Sequence, residues 1–75
     1  MSSTQDLVTT LKAELRRAGI TYAALATELG MAESSIKRVF AKGDMPLSRI
    51  DEVLAVLKMD FAELARLVEI GRAHV

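Results

Sequence analysis

Between Thr21 and Phe40 the chain reads TYAALATELGMAESSIKRVF, and the one residue in it that ends a helix by itself is Gly30. Leu25, Ala26 and Leu29 recur at helical spacing before that glycine, and Ile36, Val39 and Phe40 do so after it. No proline interrupts the segment, and if the second pattern starts at Glu33 only Gly30, Met31 and Ala32 separate the two helices. The spacing predicts two short helices joined by a tight turn, a helix-turn-helix unit. Each helix is too short to stand alone, so both must bury their apolar stripes against further elements.

The rest of the chain has to supply those elements within 75 residues, which is one domain. A chain of this size buries only about 60% of the surface it exposes when unfolded, so its core must be well packed. Hydrophobic residues make up 51% of the sequence, with Leu and Ala dominant, a composition suited to a small helical domain. There is no cysteine, which removes both a disulfide framework and a thiolate metal site. The polar start MSSTQD does not lead into a basic-then-apolar signal sequence. No apolar run approaches the roughly 18 residues of a membrane helix. A cytoplasmic setting without membrane contact is the expectation.

Periodicity predicts five helices and an all-α fold. The first runs from about Thr4 to Ala18, with Leu7, Leu11 and Leu15 four apart, Val8 beside them and Gly19 as terminator. Thr21 is placed to cap the second helix, Ile20 to staple onto Leu25, and Gly30 to end it after Leu29. The third spans Glu33 to Lys42 and stops at Gly43; Ala32 stands where a capping Ser or Thr is usual, and Glu33 partly offsets this by charging the first turn. Ser48 with Asp51 suggests a variant capping box for the fourth helix, with a start one or two residues earlier as the alternative, and a buried face of Ile50, Val53, Leu54 and Leu57. Asp60 and Glu63 suggest another, flanked by Met59 and Leu64, for a fifth helix lined by Phe61, Leu64 and Val68. Met31, Met45 and Met59 sit in or near turns, where they can fill gaps between helices. The domain is expected over residues 1–70, with 71–75 as a flexible tail carrying His74.

Net charge is zero, yet the charges are not evenly spread. Through Arg49 there are seven cations (Lys12, Arg16, Arg17, Lys37, Arg38, Lys42, Arg49) against five acids, a surplus of two. From Ile50 onward three cations (Lys58, Arg66, Arg72) face five acids, a deficit of two. The positive half holds the helix-turn-helix segment. Such polarity orients a domain on a polyanion and predicts modest non-specific affinity.

At about 100° per residue the third helix separates cleanly. Ile36, Val39 and Phe40 fall on one side; Ser34, Arg38 and Ala41 fall opposite, flanked by Lys37 and, at the N-terminal edge, Glu33. A helix that reads the major groove of DNA needs short residues where its backbone approaches the bases and long donors that reach base edges. Arg38 can pair with guanine in bidentate fashion, and Ser34 can bond either base type. The plainer alternative is a solvated face on which Glu33 and Lys37 form an i,i+4 ion pair. The tight turn and matching partner helix favour the DNA reading, with Ser34, Lys37 and Arg38 as base readers.

Backbone contacts should flank that face. The first turn of the second helix, at Thr21 and Tyr22, offers open N–H groups at a positive dipole end. The Tyr22 hydroxyl can bond a phosphate oxygen, or its ring can pack in the core with the hydroxyl at the surface; both readings stand. Lys42 and the Gly43 amide are placed to meet the DNA backbone beyond the third helix, with Glu33 and Ser35 as supporting positions. Arg16 and Arg17 suit the C-terminal dipole of the first helix better than a phosphate. His74 has no second ligand or nucleophile near it in sequence, the carboxylates are scattered, and the glycines are isolated at helix ends. Neither a metal site, a cofactor nor catalysis is expected.

From about Leu11 to Leu67 the chain resembles the Cro/phage-repressor-like helix-turn-helix (XRE) family. Tyr22, Leu25, Ala26, Leu29, Gly30, Met31, Ile36 and Val39 fill that family's apolar, small-residue and glycine slots. ESSIKRVFAKGD resembles a recognition helix and its exit, and PLSRIDEVLAVLKMDFAELARL resembles the two closing helices of a five-helix domain. The resemblance implies a phage-repressor-like fold, sequence-specific binding of double-stranded DNA as a homodimer, and transcriptional regulation, with a repressor favoured. It places Ser34, Lys37 and Arg38 in groove-facing slots, and Glu33 and Tyr22 where phosphate contacts are often supported. Relatives with such closing helices look longer, so an effector-sensing or dimerising C-terminal region is implied if the chain is a fragment. Ala32 and Glu33 depart from the family pattern. The rival expectation is a protein-interaction adaptor or antitoxin-like module, which zero net charge keeps open.

Overall fold

The first helix, α1 (Ser3–Ala18), lies at the centre of the molecule, because Val8, Leu11 and Leu15 project from one side of it into the core. The computed structural model describes residues 3–73 and assigns them to five helices: α1, α2 (Tyr22–Leu29), α3 (Glu33–Lys42), α4 (Leu47–Leu57) and α5 (Phe61–Ala73). The fold is all-α. α2 packs on α3 and α4, while α1 touches α3, α4 and α5. The core joins all five helices through Val8, Leu11, Leu15, Leu25, Ala26, Ile36, Phe40, Ile50, Val53, Leu54 and Leu64, with Met45 plugging it from the connector before α4. None of these helices is long and apolar enough to cross a membrane.

The turn between α2 and α3 is built as its sequence suggests. Thr21 sits in extended backbone, and its hydroxyl oxygen accepts from the Ala24 N–H at 3.1 Å. Gly30 then takes a φ of 67°, and the N–H of Gly30 bonds the Thr27 carbonyl while that of Met31 bonds the Ala26 carbonyl. This paired closure satisfies carbonyls that the helix end leaves over. A Cβ at Gly30 would meet nothing within 4 Å, so glycine is required by backbone conformation and not by space. The same two-bond closure ends α1, where Gly19 bonds Arg16 and Ile20 bonds Leu15.

The start of α5 also follows expectation. The Asp60 carboxylate accepts from the Glu63 N–H at 2.8 Å, and the Glu63 carboxylate accepts from the Asp60 N–H at 3.2 Å, a reciprocal box. Three local features differ from the sequence reading. Helix α4 begins at Leu47, because the Pro46 carbonyl accepts from both Arg49 and Ile50; Ser48 lies inside the first turn and caps nothing. Phe61, expected in the core, is 41% exposed. And α5 continues through Gly71 to Ala73, into the stretch assigned to the tail, while His74 lies outside the described residues.

The end of α4 has the same pair of bonds, Lys58 N–H to the Ala55 carbonyl and Met59 N–H to the Leu54 carbonyl, yet Lys58 holds a φ of 59° without being glycine. An L-residue with a Cβ pays roughly 1–2 kcal/mol for that conformation. Glycine removes this strain but adds back about 0.5–1 kcal/mol of unfolded-state entropy. Lys58→Gly is therefore expected to stabilise the domain by about 0.5–1 kcal/mol, read from urea unfolding followed by circular dichroism. A loss of stability would mean that the Lys58 side chain contributes packing that its position does not suggest.

Candidate nucleic-acid interface

Helix α3 is held from beneath. Ile36 and Phe40 are buried, Val39 is half-buried, and the Tyr22 ring stacks on Phe40 with centroids 5.2 Å apart and planes 18° from parallel. That stack joins the first turn of α2 to the last turn of α3, and Ala26, small and buried, belongs to the same core as Ile36 and Phe40. Rotation of α3 about its own axis would expose Ile36 and Phe40 and break the stack. Its outer face is therefore fixed in direction by these apolar contacts together with the closed turn before it.

On that face Glu33, Ser34, Lys37, Arg38, Ala41 and Lys42 are all exposed. The three base-reading candidates thus share one surface, with Ser34 and Ala41 along its middle and the long cations on either side. The two flanks differ. On one, Lys37 Nζ lies 3.3 Å from Glu33 Oε2, the ion pair that the spacing allowed. On the other, Arg38 and Lys42 have no ion-pair partner among the described residues. Three cations against one acid leave the face positive.

The supporting positions divide. Ala32 makes no side-chain cap, so the Glu33 and Ser34 N–H groups at the dipole-positive end of α3 carry no capping bond. Ser35 is half-buried and its N–H bonds the Ala32 carbonyl, which makes it part of the turn. The Gly43 amide, named as a possible phosphate donor, bonds the Val39 carbonyl at 3.2 Å and is committed to ending α3. Lys42 is the exposed donor at that end. Thr21 uses its hydroxyl oxygen on Ala24, and the Tyr22 ring serves packing.

Arg17 pairs with Glu14 at 3.3 Å within α1. Arg16, in the last turn of α1, also lines with Lys12 an open cleft of about 380 Å³ beside Ile20, Thr21 and Tyr22. Two cations one helical turn apart therefore face the N-terminal end of α2. The signal was present in the i,i+4 spacing of Lys12 and Arg16, but nothing in the sequence joins the end of α1 to the start of α2 across a groove.

Comparison of the chain with protein-family models, with curated proteins and with solved structures finds no match. The meaning of this face therefore has to come from its own chemistry.

Proposed function

We propose that this protein binds double-stranded DNA sequence-specifically and regulates transcription, inserting α3 into the major groove. The observation that carries the reading is the outer face of α3. It has short residues along its centre and unpaired cations on one flank, on a helix fixed by a tight turn and an aromatic stack. Ser34, Lys37 and Arg38 would contact bases; Lys42, with Lys12 and Arg16 at the α1–α2 cleft, would hold phosphates on either side. The family resemblance of the sequence supports the same reading. As a homodimer meeting through its acidic half, α4 and α5, the protein would set two recognition helices about 34 Å apart. Repression would follow from occupying a site that polymerase needs.

A second reading, an adaptor for another protein, is favoured by one observation. Leu47, Phe61 and Ile70 are large apolar side chains left exposed on α4 and α5. Salt separates the two. Binding to duplex DNA should weaken steeply between about 50 and 200 mM salt, with a slope near −0.9 per phosphate neutralised. Lys42→Ala should weaken binding to chosen and random duplexes alike and reduce that slope by about one. Fluorescence anisotropy at several salt concentrations measures both. Salt-independent binding, or none, would favour the adaptor.

A further inference from the structure

The ion pair on the flank of α3 sets an acceptor and a donor side by side. Glu33 Oε2 and Lys37 Nζ are 3.3 Å apart, and both side chains are exposed on the outer face. As a contributor to stability such a pair is slight, since an exposed i,i+4 pair sits in water and is screened by salt. Its geometry is more informative. In the major groove a C·G base pair presents the cytosine N4 amino donor beside the guanine O6 acceptor. Those two atoms are joined by an ordinary N–H···O hydrogen bond of about 2.9 Å. The carboxylate and ammonium of α3 have the opposite polarity at nearly the same separation.

Resting on the reading of α3 as a groove helix, we infer that Glu33 and Lys37 act as one unit that reads a single C·G pair. The carboxylate accepts from cytosine N4, and the ammonium donates to guanine O6 or N7. Adenine also offers an amino group, but its N7 acceptor on the same edge repels a carboxylate, and cytosine has no such acceptor. Facing a guanine or thymine edge, Glu33 is left desolvated near phosphates with no donor to bond. It rejects wrong pairs as well as favouring the right one. This gives the acidic residue on an otherwise cationic surface a role that Lys37 alone cannot fill, because a lone ammonium donates to any O6 or N7 it reaches.

The test selects bound sequences from random duplex DNA with three proteins: wild type, E33A and the charge-exchanged E33K/K37E, each checked for helix content and thermal unfolding. The wild type should enrich one C·G position. E33A should lose about ten-fold discrimination there while the rest of the site persists. E33K/K37E should enrich the reversed pair, G·C, at that same position. If the exchanged protein does not fold, E33Q replaces it, and its amide should shift the preference from cytosine towards adenine. Retention of the wild-type preference by E33A, or no change of base at that position in the exchanged or E33Q protein, overturns the inference. A wild type that enriches no sequence overturns the DNA reading itself, a separate outcome.

Discussion

Leu25→Ala is expected to lower the unfolding free energy by about 2–5 kcal/mol. Leu25 is fully buried on α2, in a cluster that also holds Ile36 of α3 and Ile50 and Leu54 of α4. Truncating it removes apolar contacts and leaves a cavity that three helices must either tolerate or collapse into. A small domain has about 5–15 kcal/mol in total, with the shortest chains at the low end, so the variant should be partly unfolded at 37 °C. Urea unfolding followed by circular dichroism measures the loss. The matched control is Leu47→Ala, the same chemical change at a side chain 64% exposed, for which less than about 0.5 kcal/mol is expected. Similar costs at the two sites would contradict the placement of α2 in the core.

Arg38→Ala should leave stability almost unchanged, because the side chain is exposed and has no ion-pair partner among the described residues. Its effect belongs to recognition. Binding to a selected duplex should weaken by about 1–3 kcal/mol, with preference relaxed at one base pair and random DNA affected less. Anisotropy titrations against the selected site, its single-base variants and a random duplex provide the measurement. Equal losses on all three would mean that Arg38 meets phosphates, the role assigned to Lys42.

Much of this architecture is written locally in the chain. Helix α3 runs from Glu33 to Lys42 as its periodicity predicts, and Thr21, Gly19, Gly30 and Gly43 mark boundaries because each satisfies a backbone demand that few residues meet. Asp60 and Glu63 are legible for the same reason, since a reciprocal box needs only two side chains three apart. Where the reading failed, packing had overruled local preference. Ser48 looks like a cap, but the chain enters α4 two residues earlier, where Pro46 supplies the first carbonyl. Lys58 gave no warning of its left-handed backbone; the closure of α4 places a residue there whatever its type. Phe61 fits the apolar period of α5, yet α5 rests mainly on α1, and it buries Leu64 while leaving Phe61 41% exposed.

The outer face of α3 was legible because helical geometry alone assigns its residues to a side, and the i,i+4 spacing of Glu33 and Lys37 allowed the ion pair that forms. What spacing cannot disclose is competition for the same group. The Gly43 amide looked open as a phosphate donor until the helix end claimed it. The meeting of Lys12 and Arg16 with Thr21 likewise depends on the angle between α1 and α2, which no local pattern encodes.

The central position of α1 has a consequence for how the molecule opens. The unit formed by α2 and α3 and the closing helix α5 have no substantial contact with each other; α1 mediates between them. Detachment of α5 would uncover Leu64 and one side of α1, yet leave the Tyr22–Phe40 stack and the direction of α3 intact. Breathing at the C-terminal end and the readiness of the outer face are thus thermodynamically separate events. Only the loosening of α1, which carries none of the side chains on the outer face of α3, would couple them.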